Sequence, residues 1–447
     1  VIDTFTIRCN ILHLAFSGKL TNQIKEEGTA KDILDLISNR KPLVSVEDGP
    51  YTLPDSWAWV RLKDLYKINP RIIADNDTEA AFIPMERISG GFDRSFTFEI
   101  QKWEKASKNH TKFEDGDIAF AKITPCFENR KSFIAQDLPN GIGGGTTELI
   151  ILRQKEMLPQ YTYYLVLDQR FISTGTASYK GVVGQQRVQS DVIKNYLVPV
   201  APYSEQKRIV KKIEQVFSIL DTIDELQAQY ADNLTALKSK LIDAAIQGKL
   251  TEQLPEDGTA EELYQQIQEE KQKLIKEGKI KKQKPLPEIT DDEIPFDIPE
   301  NWKWVRLGKL ISIESGRGLT ASNMNPGDFP VYGGNGIAGY HNCGFVPSKT
   351  IVIGRVGYYC GSVHITEKES WVTDNAFVTS YPEKHIDKYY LAYTLQHMKL
   401  GQNNNGAAQP VVSGKKIYPL AFPLPPLAEQ KRIVQKLEEI LPLCKKQ

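Results

Sequence analysis

At 447 residues the chain exceeds what one core holds, and at ~150 residues per domain it suggests about three units. Lys and Arg together number 56, as do Asp and Glu, so zero net charge excludes a uniformly basic nucleic-acid-binding tail and leaves local patches open. A hydrophobic share of 40% argues against disorder, and no run approaches the ~18 apolar residues of a membrane helix.

The opening VIDTFTIRCNILHLAFSGKL lacks the basic flank and cleavage site of a secretion signal, and Ile7, Ile11 and Leu14 keep helical spacing. Residues 66–197 lean toward strands, with GDIAFAKI and GTTELIILR bounded by glycine-rich turns, a short helix over Gln160–Arg170 and a polar loop, TGTASYKGVVGQQRV. From Glu205 to about Gln247 there is no Pro or Gly. Alternating steps of four and three pick Ile209, Ile213, Val216, Leu220, Ile223, Gln227, Tyr230, Leu234, Leu237, Leu241 and Ala244, all apolar except Gln227. That 3.5-residue period predicts a coiled coil, stopped at Gly248.

Thr259 and Glu262 form a capping box before a helix ending near Gly278, and KIKKQKPLPEITDDEIP reads as a linker whose Lys279, Lys281, Lys282 and Lys284 are solvated. Residues 311–421 repeat the strand-leaning character in KTIVIGRVG and WVTDNAFVTSY, with a helix over Asp387–Met398 and a closing loop GQNNNGAAQPVVSGKKI. A final helix is interrupted at Pro442.

The chain repeats itself. AFSGKLTNQIKEEGTA (15–30) recurs as AIQGKLTEQLPEDGTA (245–260), LPDSWAWVRLKDL (53–65) as IPENWKWVRLGKL (298–310), and VPVAPYSEQKRIVKKIEQ (198–215) as FPLPPLAEQKRIVQKLEE (422–439). The intervening inserts do not visibly match. The C-terminal segment matches the first half of the long helix and the N-terminal segment its second half, so the repeat is circularly permuted, and the natural closure packs the long helix antiparallel against both halves. The joined halves fall short of the long helix by about seven residues, two turns at 3.6 residues per turn. Trp57, Trp59, Trp302 and Trp304 open the inserts at equivalent strand starts and are read as core anchors.

Catalytic chemistry finds no foothold. Gly334–Gly339 fits GxGxxG but is not followed by a helix or by an acidic residue about 20 positions on, so it is read as a tight glycine turn. There is no GxxxxGK[ST], no GxSxG and no Asn/Asp-Pro-Pro-aromatic methyltransferase motif, and the carboxylates form no nuclease-like cluster. Cys9, Cys126, Cys343, Cys360 and Cys444 are scattered, with no metal spacing, which points to a reducing compartment and a cytoplasmic protein. The chain is expected to be non-catalytic and to hold no metal or cofactor.

A repeated scaffold bearing two divergent inserts resembles the specificity subunit of type I restriction-modification enzymes, over essentially the whole chain. PLPPLAEQKRIVQKLEE, PVAPYSEQKRIVKKIEQ, LPDSWAWVRL, IPENWKWVRL, FPVYGGNGIAGYHN, IVIGRVGYYCGSV and GDIAFAKITPCFENRK carry the resemblance. It implies an α+β chain in which two mixed α/β target recognition domains are separated by a long antiparallel coiled coil, each reading half of a bipartite duplex DNA site. The helices would space the domains and dock two methyltransferase (modification) subunits. S-adenosylmethionine would belong to those subunits, and ATP and Mg to restriction/translocase subunits. The expected segments are 1–20 (half-helix), 21–203 (first recognition domain with lead-in), 204–250 (central helix), 251–297 (linker), 298–428 (second recognition domain) and 429–447 (C-terminal helix). The alternative is a coiled-coil adaptor with paired binding heads that do not act on DNA.

Residues 53–203 carry 19 basic against 18 acidic side chains and residues 298–425 carry 12 against 8, so DNA affinity should rest on well-placed groups. Candidate DNA-binding residues are Lys122, Asn129, Arg130, Lys131, Lys180, Gln185, Gln186 and Arg187 in the first insert, and Arg317, Asn323, Asn335, Arg355, Asn403, Asn404 and Lys415 in the second. They pair flexible loops with side chains that reach phosphates or the edges of G and A. Because EQKRIV is retained in both copies, Lys207, Arg208, Lys431 and Arg432 are candidates for subunit docking.

Overall fold

The computed structural model describes residues 1–37, 49–182, 184–278, 284–398, 400–401 and 411–444. The chain divides into two compact units, Val1–Gln227 and Ala228–Gln447.

The first unit opens with α1 (Thr4–Phe16), whose N-terminus is capped by the Asp3 carboxylate accepting from the Thr6 N–H. After α2 (Ala30–Ile37) and β1 (Ala58–Arg61) come eight strands: β2 (Lys67–Ile68), β3 (Glu79–Ile83), β4 (Glu99–Lys102), β5 (Thr111–Glu114), β6 (Ile118–Ala121), β7 (Ser132–Ile134), β8 (Ile142–Gly145) and β9 (Leu149–Arg153). Helices α3 (Pro159–Leu167) and α4 (Gln169–Thr176) precede β10 (Leu197–Val200) and the long α5 (Tyr203–Ile246). The insert helix expected over Gln160–Arg170 is thus two helices, broken at Asp168, whose carboxylate caps α4 at Arg170.

The strands form one sheet in the order β2-β9-β6-β7 and another in the order β4-β3-β8-β5, and β1 pairs with β10 to close the insert. In the second sheet β8 runs parallel to β3, Ala81 opposite Gly143. Gly144 lets β8 pass the short helix Trp103–Ser107: a Cβ there would lie 1.9 Å from the Ala106 carbonyl oxygen.

Helix α1 lies antiparallel to the first half of α5. The Ile2 N–H donates to Gln227, Thr4 to Asp224, and Arg8 to Asp224 and Asp221, so partners fall in number on α5 as they rise on α1. Leu12 and Phe16 pack in one core with Ile209, Ile213, Phe217 and Leu220, each buried side chain contributing about 1.5–3 kcal/mol. The heptad seam is buried only in this stretch. Between Asp221 and Ala244 no residue is buried, and Tyr230 and Leu237 are exposed.

The second unit takes the remainder of α5, then α6 (Ala260–Lys276), whose Thr259–Glu262 capping box is formed as expected. Its strands are β11 (Lys303–Arg306), β12 (Ser312–Ser315), β13 (Phe329–Gly333), β14 (Gly336–His341), β15 (Ile351–Gly354), β16 (Val363–Ile365), β17 (Trp371–Val372) and β18 (Ala376–Ser380); α7 (Lys388–His397), β19 (Ala421–Leu424) and α8 (Leu427–Ile440) complete it. Of Gly334–Gly339, Gly334 and Asn335 form the tight turn the sequence suggests between β13 and β14, and Gly336–Gly339 already belong to β14. Past α8, Leu441–Cys444 tightens into a 3₁₀ turn at Pro442. Ile433, Val434 and Leu437 share a core with Ala245 and, at its edge, Leu241 and Ile242 of α5. Lys279, Lys281 and Lys282 lie outside the described residues, and Lys284 is exposed.

Although the inserts share no visible sequence, their sheets agree. The order β12-β18-β15-β16 repeats β2-β9-β6-β7, and β13 pairs with β14 antiparallel and β17 parallel as β3 does with β4 and β8. Helix ends repeat as well: Gly18 and Gly248 both adopt positive φ, with Lys19 N–H donating to Leu14 O and Lys249 N–H to Ala244 O. Among the described residues, one further brace is seen in the second unit. The buried Arg306 guanidinium holds the 284–293 lead-in through the Pro287 and Glu288 carbonyls and the Glu293 carboxylate, whereas its counterpart Arg61 is exposed.

Candidate nucleic-acid interface

The frame that carries the loops is fixed by the repeated EQKR segment at the start of α5 and α8. In the first unit the buried Glu205 carboxylate accepts from Trp57 Nε1 (2.8 Å), Gln23 Nε2 (2.8 Å) and Thr21 Oγ1 (3.0 Å). In the second, Glu429 accepts from Trp302 Nε1 (2.8 Å), Gln253 Nε2 (2.8 Å) and Thr251 Oγ1 (3.1 Å). Gln206 bridges Leu158 N–H and Ala201 O as Gln430 bridges Asp387 N–H and Pro425 O.

The two repeated arginines have partners within their own units. Arg208 makes a two-pronged pair with Glu27 and donates to Asn22 O, and Arg432 does the same with Asp257 and Glu252 O. These two cations bind their own unit's lead-in in both copies. Lys207 is exposed, its ammonium 4.7 Å from the Tyr203 ring, and Lys431 is exposed. The tryptophan expectation holds: Trp57, Trp59 and Trp302 are buried and Trp304 is half-buried.

The loops that sequence singled out meet in the same way in each unit. The β6–β7 loop lies beside the glycine- and glutamine-rich loop after α4, where Val188 N–H donates to Lys122 O (2.9 Å) and Thr124 N–H to Gln186 O (2.9 Å). The β15–β16 loop is the topological equivalent, and Val412 N–H donates to Arg355 O (2.8 Å). Each unit therefore presents two adjoining loops at one end of its four-stranded sheet, a placement suited to entering a groove.

In the first unit Lys122, Asn129, Lys131, Lys180, Gln185, Gln186 and Arg187 all fall on this loop pair. Asn129, Lys180, Gln185 and Arg187 are exposed, whereas Lys122, Lys131 and Gln186 are half-buried. Lys131 spends its ammonium on Met85 O (2.9 Å). Arg187 grips Glu148 through Nε and Nη2 (2.9 and 2.7 Å), and those hydrogen bonds hold the Glu148 carboxyl below the usual carboxylate range. Arg130 is a correction. It is buried, with Nε donating to Leu167 O (2.9 Å) and Nη2 to Gln169 Oε1 (2.6 Å), so its guanidinium does not face a ligand.

In the second unit Asn323 and Asn335 are exposed around an open cleft of ≈ 940 Å³ also lined by Asn375 and Asp374. Arg355 is half-buried, donating to Ser315 Oγ (3.2 Å) and lying 5.6 Å from the Phe377 ring. Arg317 is exposed with its guanidinium 4.2 Å from the Phe345 ring, and Lys415 is exposed on the short helix Gly414–Ile417. Asn403 and Asn404 lie outside the described residues.

Sequence reasoning missed Tyr358 and Tyr359. Tyr358 is 88% exposed and Tyr359 55%, on the β15–β16 loop at the cleft's rim, and each offers a π-face to a base. A tyrosine pair between Gly357 and Gly361 was the available signal. Glu148, which pairs with the Arg187 guanidinium, left none. Among the described residues no group of three His, Cys, Asp or Glu is placed to hold a metal, and no helix is long and apolar enough to cross a membrane.

Residues 54–229 and 299–444 match the family described as type I restriction modification DNA specificity domain. The chain is 30% identical to the type I restriction enzyme EcoAI specificity subunit of Escherichia coli, over 98% of this chain and 88% of that one. It is 37% identical to the EcoEI specificity subunit of the same organism, over 68% and 61%. Among solved structures, a chain from a study of complex assembly and conformational transition of the type I R-M system superposes with a TM-score of 0.67 at 19% identity, covering 88% of this chain and 92% of that one. The HsdS subunit from Thermoanaerobacter tengcongensis superposes with a TM-score of 0.52 at 20% identity, covering 89% and 92%. At these identities the two structures speak for the fold.

Proposed function

The chain belongs to the type I restriction-modification DNA specificity family, and from that premise we propose that it reads a bipartite duplex site, one half with each unit. The reading is carried by one coincidence: the two family matches fall on two units that repeat one sheet order and one loop pairing while differing in the side chains those loops present. A retained frame with exchanged reading groups is what two different half-sites demand.

The available chemistry suits base edges. Asn and Gln side chains pair bidentately with adenine, and Lys and Arg reach guanine or phosphate. Near-neutral inserts supply little non-specific attraction, so affinity leans on the placed contacts and on partner subunits. The chain itself transfers no methyl group and cuts no strand. Two methyltransferase subunits bring S-adenosylmethionine, and restriction subunits bring ATP and Mg, in the cytoplasm. Docking of those subunits falls to surfaces other than Arg208 and Arg432, with Lys207 and Lys431 the exposed cations of the repeated segment.

The test exchanges residues 66–197 for the equivalent segment of a relative with another target, leaving the Glu205 and Glu429 braces intact. Methylated sites are then sequenced after assembly with methyltransferase subunits. One half-site should change and the other should persist. A change in both halves, or methylation without sequence preference, overturns the reading.

A further inference from the structure

The β6–β7 loop of the first unit ends on Arg130, which adopts φ 55° in the left-handed region that glycine ordinarily fills. The turn is a helix-stop in form: Arg130 N–H donates to Phe127 O and Lys131 N–H to Cys126 O, both within 3.0 Å. A long, charged residue persists in such a conformation only when its surroundings over-determine it. Here they do. Besides Leu167 O and Gln169, the guanidinium meets the Cys9 sulfur at 3.7 Å and stacks 5.0 Å from the Phe5 ring and 5.4 Å from the Phe92 ring.

Phe5 and Cys9 belong to α1. Phe92 sits on a loop whose Gly91 N–H donates to Asn129 O at 2.7 Å, so it grips the reading loop through the backbone as well. The Phe92 ring lies 5.5 Å from Phe5 and 5.4 Å from Phe217 of α5. Buried Arg8 sits between Phe92 and Phe217, at 5.9 and 5.7 Å, while pairing with Asp221 and Asp224. A continuous stack of alternating cations and rings thus joins the α1–α5 helix pair to the end of one reading loop. The second unit has no such stack by descent: the repeat places Lys238 where Arg8 stands and Leu441 where Phe217 stands.

We propose that Arg130, Phe92 and Phe5 form a latch that positions the 122–131 loop from α1, so that the first half-site is discriminated only while α1 is seated on α5. Arg130 is then a positioning residue, not a DNA contact. The inference rests on the proposed reading of DNA by this loop and adds a control on it that the second unit lacks.

Arg130→Gly separates turn from latch, because glycine adopts φ 55° freely while the guanidinium is lost. Phe5→Leu tests the same latch from α1 at a half-exposed site (49%), keeping bulk and removing the π-face, and Phe5→Trp should restore it. Hydrogen exchange on the full chain reads loop order, and methylated-site sequencing of the complex reads discrimination. Expected for Arg130→Gly and Phe5→Leu are amides of 122–131 that exchange several-fold faster and a loss of discrimination of about three- to tenfold at the first half-site alone. Phe5→Trp should return both to the parent values. Unchanged loop exchange in both variants overturns the latch, as does equal loss at both half-sites. Should the parent complex methylate without sequence preference, the DNA reading fails, and loop exchange still decides whether α1 orders the loop.

Discussion

In the first unit the loop between β6 and β7 closes on a buried arginine held by rings from two separate segments, Phe5 and Phe92; in the second, the equivalent loop closes at Gly361, whose positive φ needs no such support. The first loop exposes no aromatic side chain among its described residues, whereas the second holds Tyr358 and Tyr359 in solvent. Beneath both loops the braces are the same atom for atom, with Trp57 and Trp302 each donating to a buried glutamate at 2.8 Å. Where the units agree, the chain is holding its frame together; where they differ, the difference lies in the loops and in what supports them.

The largest effect should come from removing the shared brace. Glu205→Ala should cost the first unit about 3–4 kcal/mol and Glu429→Ala the second a similar amount, because Trp, Gln and Thr donors are left buried without an acceptor. Hydrogen exchange resolved by unit measures each loss, and loss in both units from one substitution would contradict independent bracing.

Charge reversal at Arg208 or Arg432 should come next. Each new carboxylate would face Glu27 or Asp257, at a cost of about 2 kcal/mol to its own unit. Denaturant unfolding checks it. Full stability with lost methyltransferase binding on gel filtration would return these residues to the docking role.

Tyr358→Ala sharpens the contrast between the loops. Loss of one base-stacking face should weaken retention of specific DNA by about tenfold, since such stacking is worth ~1–3 kcal/mol. A titration of the assembled complex on duplexes varied in one half-site at a time should place the effect in the second half-site.

The smallest expected effect concerns pH. Hydrogen bonds from Arg306 hold the Glu293 carboxyl down to about 2, against 4.5 when unpaired. A depressed folded value means that the stabilisation is fully present above about 4.5 and drains away as pH falls toward about 2. The second unit should therefore loosen at its 284–293 lead-in over that window. Glu293→Gln should flatten the dependence, measured by exchange of the lead-in amides.

Features set by neighbouring residues are legible in the sequence. The heptad spacing announced α5, Thr259 and Glu262 announced the start of α6, and Asp387 and Met398 bracket α7 as its caps. The matching sheets were not legible, because strands such as Lys67–Ile68 and Trp371–Val372 are too short to carry a period and their pairing is decided far along the chain. Asn129-Arg130-Lys131 reads locally as a solvated basic turn; its middle residue is buried by Phe5 and Phe92, which no local pattern links to it. The identity of EQKRIV pointed to one job done twice. Its nature was hidden, because the acidic partners Glu27 and Asp257 lie in lead-ins distant in sequence.

Gly144 leaves no space for a methyl group beside the Ala106 carbonyl, and Gly143 and Gly145 on either side face the Phe113 ring. A mutation at the centre of that sheet would be purged before it altered what the unit recognises. Selection for a new target is therefore funnelled outward, to the exposed side chains of the polar loops after β6 and α4, such as Asn129, Lys180 and Gln185, where a change costs the fold little. One unit thus holds a strand that cannot change beside loop positions that can.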